Sequence, residues 1–294
     1  MSLSSLRMSL HGLFKLGPSL LIIIRYIFTL PASTKFSTTD TSSTVWLARD
    51  LQQWRWRPTS YVAVKIKANN YATTADAERD LRLTEHISRT NPRHLGCNFV
   101  SKLVDPYGTH VRMVFDPLCE PLWMLKRRFY GNVLPLDVLK PVARMILEGL
   151  CYLHSQCHII HTDLKPDNIL MSLRDPSVLD IVAQDEMDEP LPQKHLEDRT
   201  IYLSRNQFCL DTGKLGRPVI TDFGLAENGS RIHNHLIQPD DYRVPEVIIG
   251  AGWSYSVNIW NLGVLILDLV HGSTPFDMPQ TGASTFSDEK RWLA

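Results

Sequence analysis

The sequence predicts an α+β fold, a strand-rich first part followed by a mostly helical second part. Three observations carry this. Residues 61–67 and 111–115 are short, β-branched and apolar, as strands are. Apolar residues then recur at helical spacing across 138–153 and 256–270. With 294 residues, 44% of them hydrophobic and 21% charged, the chain is long enough to bury a core.

The segments follow in order. Residues 1–39 hold Arg7, Lys15, Arg25 and Lys35 and no acid, are Ser-rich, and contain an apolar run at 20–30 broken by Arg25. That run is too short to span a bilayer as a helix, which takes about 20 residues. Residues 1–34 therefore read as an N-terminal extension, disordered or targeting, with a signal-like or interfacial apolar stretch as the alternative. Tyr61-Val62-Ala63-Val64-Lys65-Ile66-Lys67 reads as a strand, and 75–88 as a charged amphipathic helix with Leu81, Leu83 and Ile87. A strand at 111–115 closes at Asp116-Pro117. Asp137 is placed to cap a helix carrying Val138, Val142, Met145, Ile146, Gly149, Leu150 and Leu153. Residues 175–189 carry six acids and no base, with prolines nearby, and read as a solvated loop or insert. Residues 256–270 are apolar on almost every face, which predicts a helix buried all round, stopped by Gly272.

Composition removes several function classes. Lys+Arg and Asp+Glu are both 31, so no global basic field argues for nucleic acid and no acidic excess for disorder. Five cysteines without a C-x-x-C spacing exclude a disulfide scaffold and give no zinc signature. They read as reduced thiols of an intracellular protein.

The chemistry concentrates in His161-Thr162-Asp163-Leu164-Lys165-Pro166-Asp167-Asn168-Ile169-Leu170. Asp, Lys and Asn at positions 0, +2 and +5 suit phosphoryl transfer, which needs positioning and charge neutralisation more than covalent chemistry. Asp163 can accept a hydroxyl proton, Lys165 can neutralise the moving phosphoryl group, and Asn168 can offer oxygen to Mg²⁺.

This stretch resembles the catalytic loop of eukaryotic protein kinases, H-R-D-L-x-x-x-N, with Thr162 in place of Arg. Asp222-Phe223-Gly224 after Pro218-Val219-Ile220 resembles the D-F-G segment, and Val244-Pro245-Glu246 the A-P-E that closes the activation segment. Val62-Ala63-Val64-Lys65 resembles V-A-I-K on the third strand. Ser43-Thr44-Val45-Trp46-Leu47-Ala48-Arg49-Asp50, Glu120-Pro121-Leu122-Trp123 and Ile237-Gln238-Pro239-Asp240-Asp241-Tyr242-Arg243 look most like fungal SR-protein-specific serine/threonine kinases.

The resemblance implies a two-lobed fold. A β-rich N-lobe covers 35–118. A mostly helical C-lobe covers 119–294, carries an acidic insert at about 172–215, and is truncated. It implies transfer of the γ-phosphoryl of Mg-ATP to Ser/Thr hydroxyls of a protein substrate, with Arg/Ser-rich splicing factors as the candidate class. Asp163 and Lys165 would be catalytic, and Asn168 and Asp222 would hold Mg²⁺. Lys65, paired with Asp80 or Glu78, would anchor phosphate. Val45, Ala63 and Leu170 would pack on adenine, in a cleft whose hinge runs through Asp116 and Leu118. It points to the cytoplasm or nucleus, with no direct nucleic-acid contact and no membrane contact expected.

The departures define the alternative. No glycine lies between Gly17 and Val45, where a phosphate-binding glycine loop is expected. Asn258 stands for the family's Asp in D-I-W, which predicts a softer catalytic loop at a cost of about 1–2 kcal/mol. The Arg that usually pairs with the Glu of A-P-E is absent, leaving Glu246 without it. Together these would suit a catalytically impaired, pseudokinase-like binding module. Thr162 removes the usual anchor for a phosphorylated activation segment, so activity independent of that modification is expected.

Overall fold

The computed structural model describes residues 13–16, 19–23, 43–50, 61–67, 74–105, 112–190, 192–195, 200–202, 212–274 and 276. The strands of the first part are β1 (Leu13–Leu16), β2 (Ser19–Ile23), β3 (Ser43–Asp50) and β4 (Tyr61–Lys67). After α1 (Thr74–Arg89) come β5 (Leu103–Asp105), β6 (Arg112–Phe115) and β7 (Leu118–Pro121). Then follow α2 (Leu122–Lys126), α3 (Leu136–Ser155), β8 (Ile159–Ile160), β9 (Ile169–Leu173) and α4 (Val178–Asp188). The remaining elements are β10 (Gln193–His195), β11 (Thr200–Tyr202), β12 (Leu215–Ile220), β13 (Glu227–Asn228), α5 (Pro245–Ile248) and α6 (Ser256–His271).

These elements form two compact units, each assembled from separated stretches of chain. The first takes Met1–Glu85, Ser101–Glu120 and Met171–Gly216; the second takes His86–Val100, Pro121–Leu170 and Arg217–Ala294.

The first unit is built on a six-stranded antiparallel sheet in the order β1-β2-β3-β4-β6-β5. β4 is central, with Val64 opposite Trp46 on one side and Val114 on the other. Leu47, Ala48, Val64, Met113 and Val114 are buried around it. The start of the apolar run at 20–30 is a sheet strand and not an interfacial helix: Leu21, Ile22 and Ile23 lie opposite Asp50, Arg49 and Ala48. The 36–42 stretch, where the glycine loop was expected, lies outside the described residues.

The acidic stretch read as a solvated loop contains α4. Val178, Leu179, Val182 and Ala183 are buried at helical spacing, and the acids occupy the other faces apart from buried Glu186. Tyr61 donates its hydroxyl to Asp180 Oδ1 at 2.9 Å, which ties this helix to the start of β4.

The second unit is mostly helical. α3 is its longest element and buries Val142, Ile146, Gly149, Leu150 and Leu153 of the face expected from the sequence, together with Leu139, while Val138 and Met145 are half-buried. Its cap differs: Pro135 precedes the helix and Asp137 lies in the first turn, where a carboxylate favours the helix dipole. Gly96 meets α3 so closely that a Cβ there would lie 1.9 Å from the Glu148 carbonyl oxygen. Tyr152 donates its hydroxyl to Ile87 O at 2.6 Å and to Thr90 O. Desolvation by burial pushes that phenol above its ordinary range, and pushes the neighbouring Cys157 thiol up to about 11.

α6 stops as expected at Gly272, which adopts φ 83° and donates its N–H to Asp268 O at 2.8 Å. The helix is not buried all round. Ile259 (52% exposed), Gly263 and Leu267 (42% exposed) form an open stripe four residues apart, while Val257, Asn258, Asn261, Leu262, Val264 and Leu265 face inward. Among the described residues no helix is long and apolar enough to cross a membrane.

Candidate active site

In the second unit, Ile160 of β8 pairs with Glu227 of β13, and the chain then turns into His161-Thr162-Asp163. His161 is fully buried. Its backbone N–H donates to Asn258 Oδ1 at 2.9 Å, and its Nε2 stands 2.8 Å from the Thr221 carbonyl oxygen. Because a carbonyl can only accept, Nε2 carries the proton, leaving Nδ1 to accept from the Asp163 N–H at 3.3 Å. Burial lowers the affinity of this imidazole for a second proton and outweighs the Thr221 bond. Its edge meets Phe223 with centroids 5.4 Å apart.

Asp163 gathers two of the residues expected from the sequence. Lys165 Nζ lies 3.1 Å from Asp163 Oδ2, and Asn168 Nδ2 donates to the same oxygen at 2.8 Å. Asn168 Nδ2 also donates to the Asp163 backbone carbonyl at 2.8 Å. Both partners are acceptors, so the amide orientation is fixed chemically and Oδ1 points away from them. Asp167, one residue before Asn168, is mostly buried, and desolvation raises its carboxyl against the lowering effect of Lys165.

Asp222 is brought beside this loop by its neighbour. The Thr221 N–H and hydroxyl both donate to Asn168 O, at 2.9 and 3.1 Å. Asp222 itself has φ 63°, in the left-handed region that L side chains seldom adopt. Thr162 is also left-handed, at φ 65°, which is costly for a β-branched residue. Its hydroxyl donates to Leu225 O at 2.7 Å, so the residue in place of Arg ties the loop directly to the stretch after Asp222.

In the first unit, Lys65 Nζ lies 3.4 Å from Asp80 Oδ2, and both side chains are buried. Thr84 braces Asp80 through a 2.7 Å bond to its carbonyl and a 3.4 Å bond to Oδ1. Glu78, the other candidate, pairs instead with Arg82 on the exposed face of α1 at 3.4 Å. Val45 stands opposite Lys65, and Ala63 opposite Phe115, in the sheet register. Val45, Ala63 and Leu118 are half-buried and Asp116 is exposed; Leu170, in the second unit, is buried.

Several supports were not seen in the sequence. His154 Nε2 lies 3.0 Å from Asn258 Oδ1, so that oxygen takes bonds from two sides while buried Asn258 Nδ2 has no partner among the described residues. Gln238, at φ 69°, donates to Asn261 Oδ1 at 2.9 Å and accepts from the Val244 N–H at 2.9 Å. Asn261 Nδ2 donates to Tyr242 O at 2.8 Å. Asn258 and Asn261 are one turn apart on α6, so a single helix face holds both the loop at 161–163 and the turn at 240–242. Arg243 adds bonds to Ile237 O and Gln238 O, at 3.1 and 2.8 Å, and an ion pair with Asp240 at 2.9 Å. Glu246 accepts from the Ser256 hydroxyl at 3.1 Å, so the loss expected there is partly met.

Comparison with known proteins agrees with this geometry. The protein kinase domain family matches residues 59–187 and 204–291. A serine/threonine protein kinase of Aspergillus fumigatus is 37% identical over 244 residues, covering 80% of this chain and 56% of that protein. The serine/threonine-protein kinase SRPK of Physarum polycephalum is 31% identical over 258 residues, covering 80% and 58%. The chain thus spans little more than half the length of these relatives. A kinase-domain crystal structure superposes with a TM-score of 0.62 at 24% identity, covering 92% of this chain and 68% of the other, which is a likeness of fold.

Proposed function

The chain belongs to the protein kinase family, and from that premise we propose that it transfers the γ-phosphoryl group of ATP to Ser or Thr hydroxyls of a protein. The reading rests on one observation above all: Lys165 and Asn168 converge on Asp163 Oδ2, at 3.1 and 2.8 Å. With Oδ2 spent, Oδ1 is the oxygen left to take a proton from an incoming hydroxyl. Lys165 stands where charge on the transferred group needs a cation.

ATP brings the phosphoryl group, and Mg²⁺ supplies charge neutralisation when bound. The donor set suits a hard cation that prefers oxygen: Asn168 spends its amide N–H groups on Asp163 and keeps Oδ1, and Asp222 follows the strand bonded to Asn168. Lys65, held by Asp80, is the phosphate anchor. Val45 and Ala63, on paired strands of the first unit, are the adenine contacts in this reading. The likeness to SRPK is what makes Arg/Ser-rich proteins the substrate class to test first.

The test is transfer of labelled phosphate from Mg-ATP to an Arg/Ser-repeat peptide and to a Ser peptide without arginine. Asp163→Asn should cut transfer by roughly 10²–10⁴-fold, the usual worth of a positioned general base. Transfer to both peptides alike would keep the kinase and discard the substrate class. A folded chain that binds Mg-ATP but transfers to neither would sink the proposal in favour of a binding module.

A further inference from the structure

Gly229 has no side chain, and a tyrosine stands in the space one would fill. A Cβ added there would collide with the hydroxyl, Cζ and Cε1 of Tyr255. The Gly229 N–H donates to His158 O at 2.8 Å, one residue beyond the β13–β8 pair in which Asn228 faces Ile159. The backbone at 229 is thus pinned by a hydrogen bond and covered by a ring.

Tyr255 is the residue before α6 and is half-buried. Its ring lies 4.7 Å from the His154 ring of α3, at 48°. It also packs against the core of Ile160, Val244, Val247, Trp253 and Val257. Its carbonyl accepts the Asn258 N–H at 3.1 Å. His154 Nε2 lies 3.0 Å from Asn258 Oδ1, the oxygen that accepts the His161 N–H at 2.9 Å. An atom that accepts a backbone N–H is the amide oxygen, so His154 must donate to it and Nε2 carries the proton. The Asp163 N–H then donates to His161 Nδ1 at 3.3 Å. A series of direct contacts therefore runs from Gly229 through Tyr255, His154, Asn258 and His161 to Asp163. Among the described residues the Tyr255 hydroxyl makes no hydrogen bond, so the ring carries its part of the series.

We propose that Tyr255 is a positioning residue for the loop at 161–163: its ring fills the side-chain space of Gly229 and props His154 against Asn258. It acts through those two side chains and touches no reacting atom. Glycine at 229 is the condition for this, because any side chain there would push the ring aside and leave the His154 imidazole without its packing partner. The segment after Asp222 and the loop that carries Asp163 are then held by one ring from behind.

Amide hydrogen exchange of the full chain tests this without ATP or substrate. Tyr255→Leu keeps apolar bulk but not the ring. It should lower protection of the His161 and Asp163 amides roughly two- to tenfold, the range of one aromatic pair. Protection of residues 142–150 in the middle of α3 should not change. Tyr255→Phe keeps the ring and should keep the protection. Gly229→Ala leaves the tyrosine in the chain but drives its ring off, and should repeat the loss seen in Tyr255→Leu. In a Tyr255→Ala background the added methyl finds room, so Gly229→Ala should there change nothing further. An equal loss across α3 and the loop would make the ring a general support and overturn the proposal. So would full protection at 161 and 163 in Gly229→Ala, or the same effect of Gly229→Ala in both backgrounds. Should Tyr255→Leu fail to fold, Gly229→Ala in the natural chain decides, since it removes no side chain. The bearing on phosphoryl transfer rests on the function proposed above: there Tyr255→Leu should lower kcat and leave KM for ATP, whose anchor Lys65 lies in the first unit. A natural chain that transfers no phosphate would fail that reading, and the exchange result would still decide this one.

Discussion

Asn258 Oδ1 takes two bonds while its buried Nδ2 finds no partner among the described residues, an arrangement in which an aspartate would leave no orphaned donor. Burial lowers the proton affinity of both histidines that touch this site or its loop, His154 and His161. Each takes a proton less readily in the folded chain than in the unfolded chain, where it does so below the ordinary histidine value of about 6.5. Stability from this pair is therefore complete above that pH and is lost as pH falls below it. Urea midpoints should drop accordingly, at up to about 1.4 kcal/mol per pH unit for each histidine. Asn258→Asp should reverse the sign for His154, because a carboxylate 3.0 Å away favours its proton. The variant's advantage over the natural chain should then widen as the solution is made more acidic. A constant or shrinking gap would show that His154 does not titrate against this position. Thr162→Val, which keeps the branched shape but removes the bond to Leu225 O, should cost about 1 kcal/mol in the same measurement.

At the scale of elements, the segment between Asp222 and Glu246 holds only two hydroxyls, exposed Ser230 and buried Tyr242. Its ties run through Thr162, Gln238, Arg243 and Asn261, none of which needs a phosphate. Ser230→Ala should leave phosphoryl transfer unchanged in a steady-state assay. Gly96→Ala should destabilise by at least about 1–3 kcal/mol by denaturant titration, since a Cβ 1.9 Å from a backbone oxygen forces α3 to move. The loop around Asp163 was legible because its residues act within ten positions of one another. The partner of Lys65 was ambiguous because Glu78 and Asp80 differ only in helical phase, and the exposed pairing of Glu78 with Arg82 settles it. α4 was misread because its acids and flanking prolines outweighed four buried apolar residues. α6 was misread as wholly buried because Ile259 and Leu267 look no different in sequence from Leu262 and Leu265. His154 was missed because its role depends on an oxygen on another helix.

At the scale of the molecule, the α+β division into early strands and late helices was legible from composition and spacing. The division into units was not, because each unit recruits three separated stretches and no local pattern announces such exchange. This interleaving also sets a timetable. The first unit lacks its last stretch, Met171–Gly216, until the Pro121–Leu170 stretch of the second unit has been made. At translation speeds of about 5–20 residues per second, β4 and its neighbours wait on the order of ten seconds for that stretch. The second unit opens at His86 and closes later still. A nascent chain therefore leaves the ribosome with two half-built cores at once, each presenting apolar strand or helix faces. The holding chaperones that meet it there bear on its yield in a cell as directly as its final stability does.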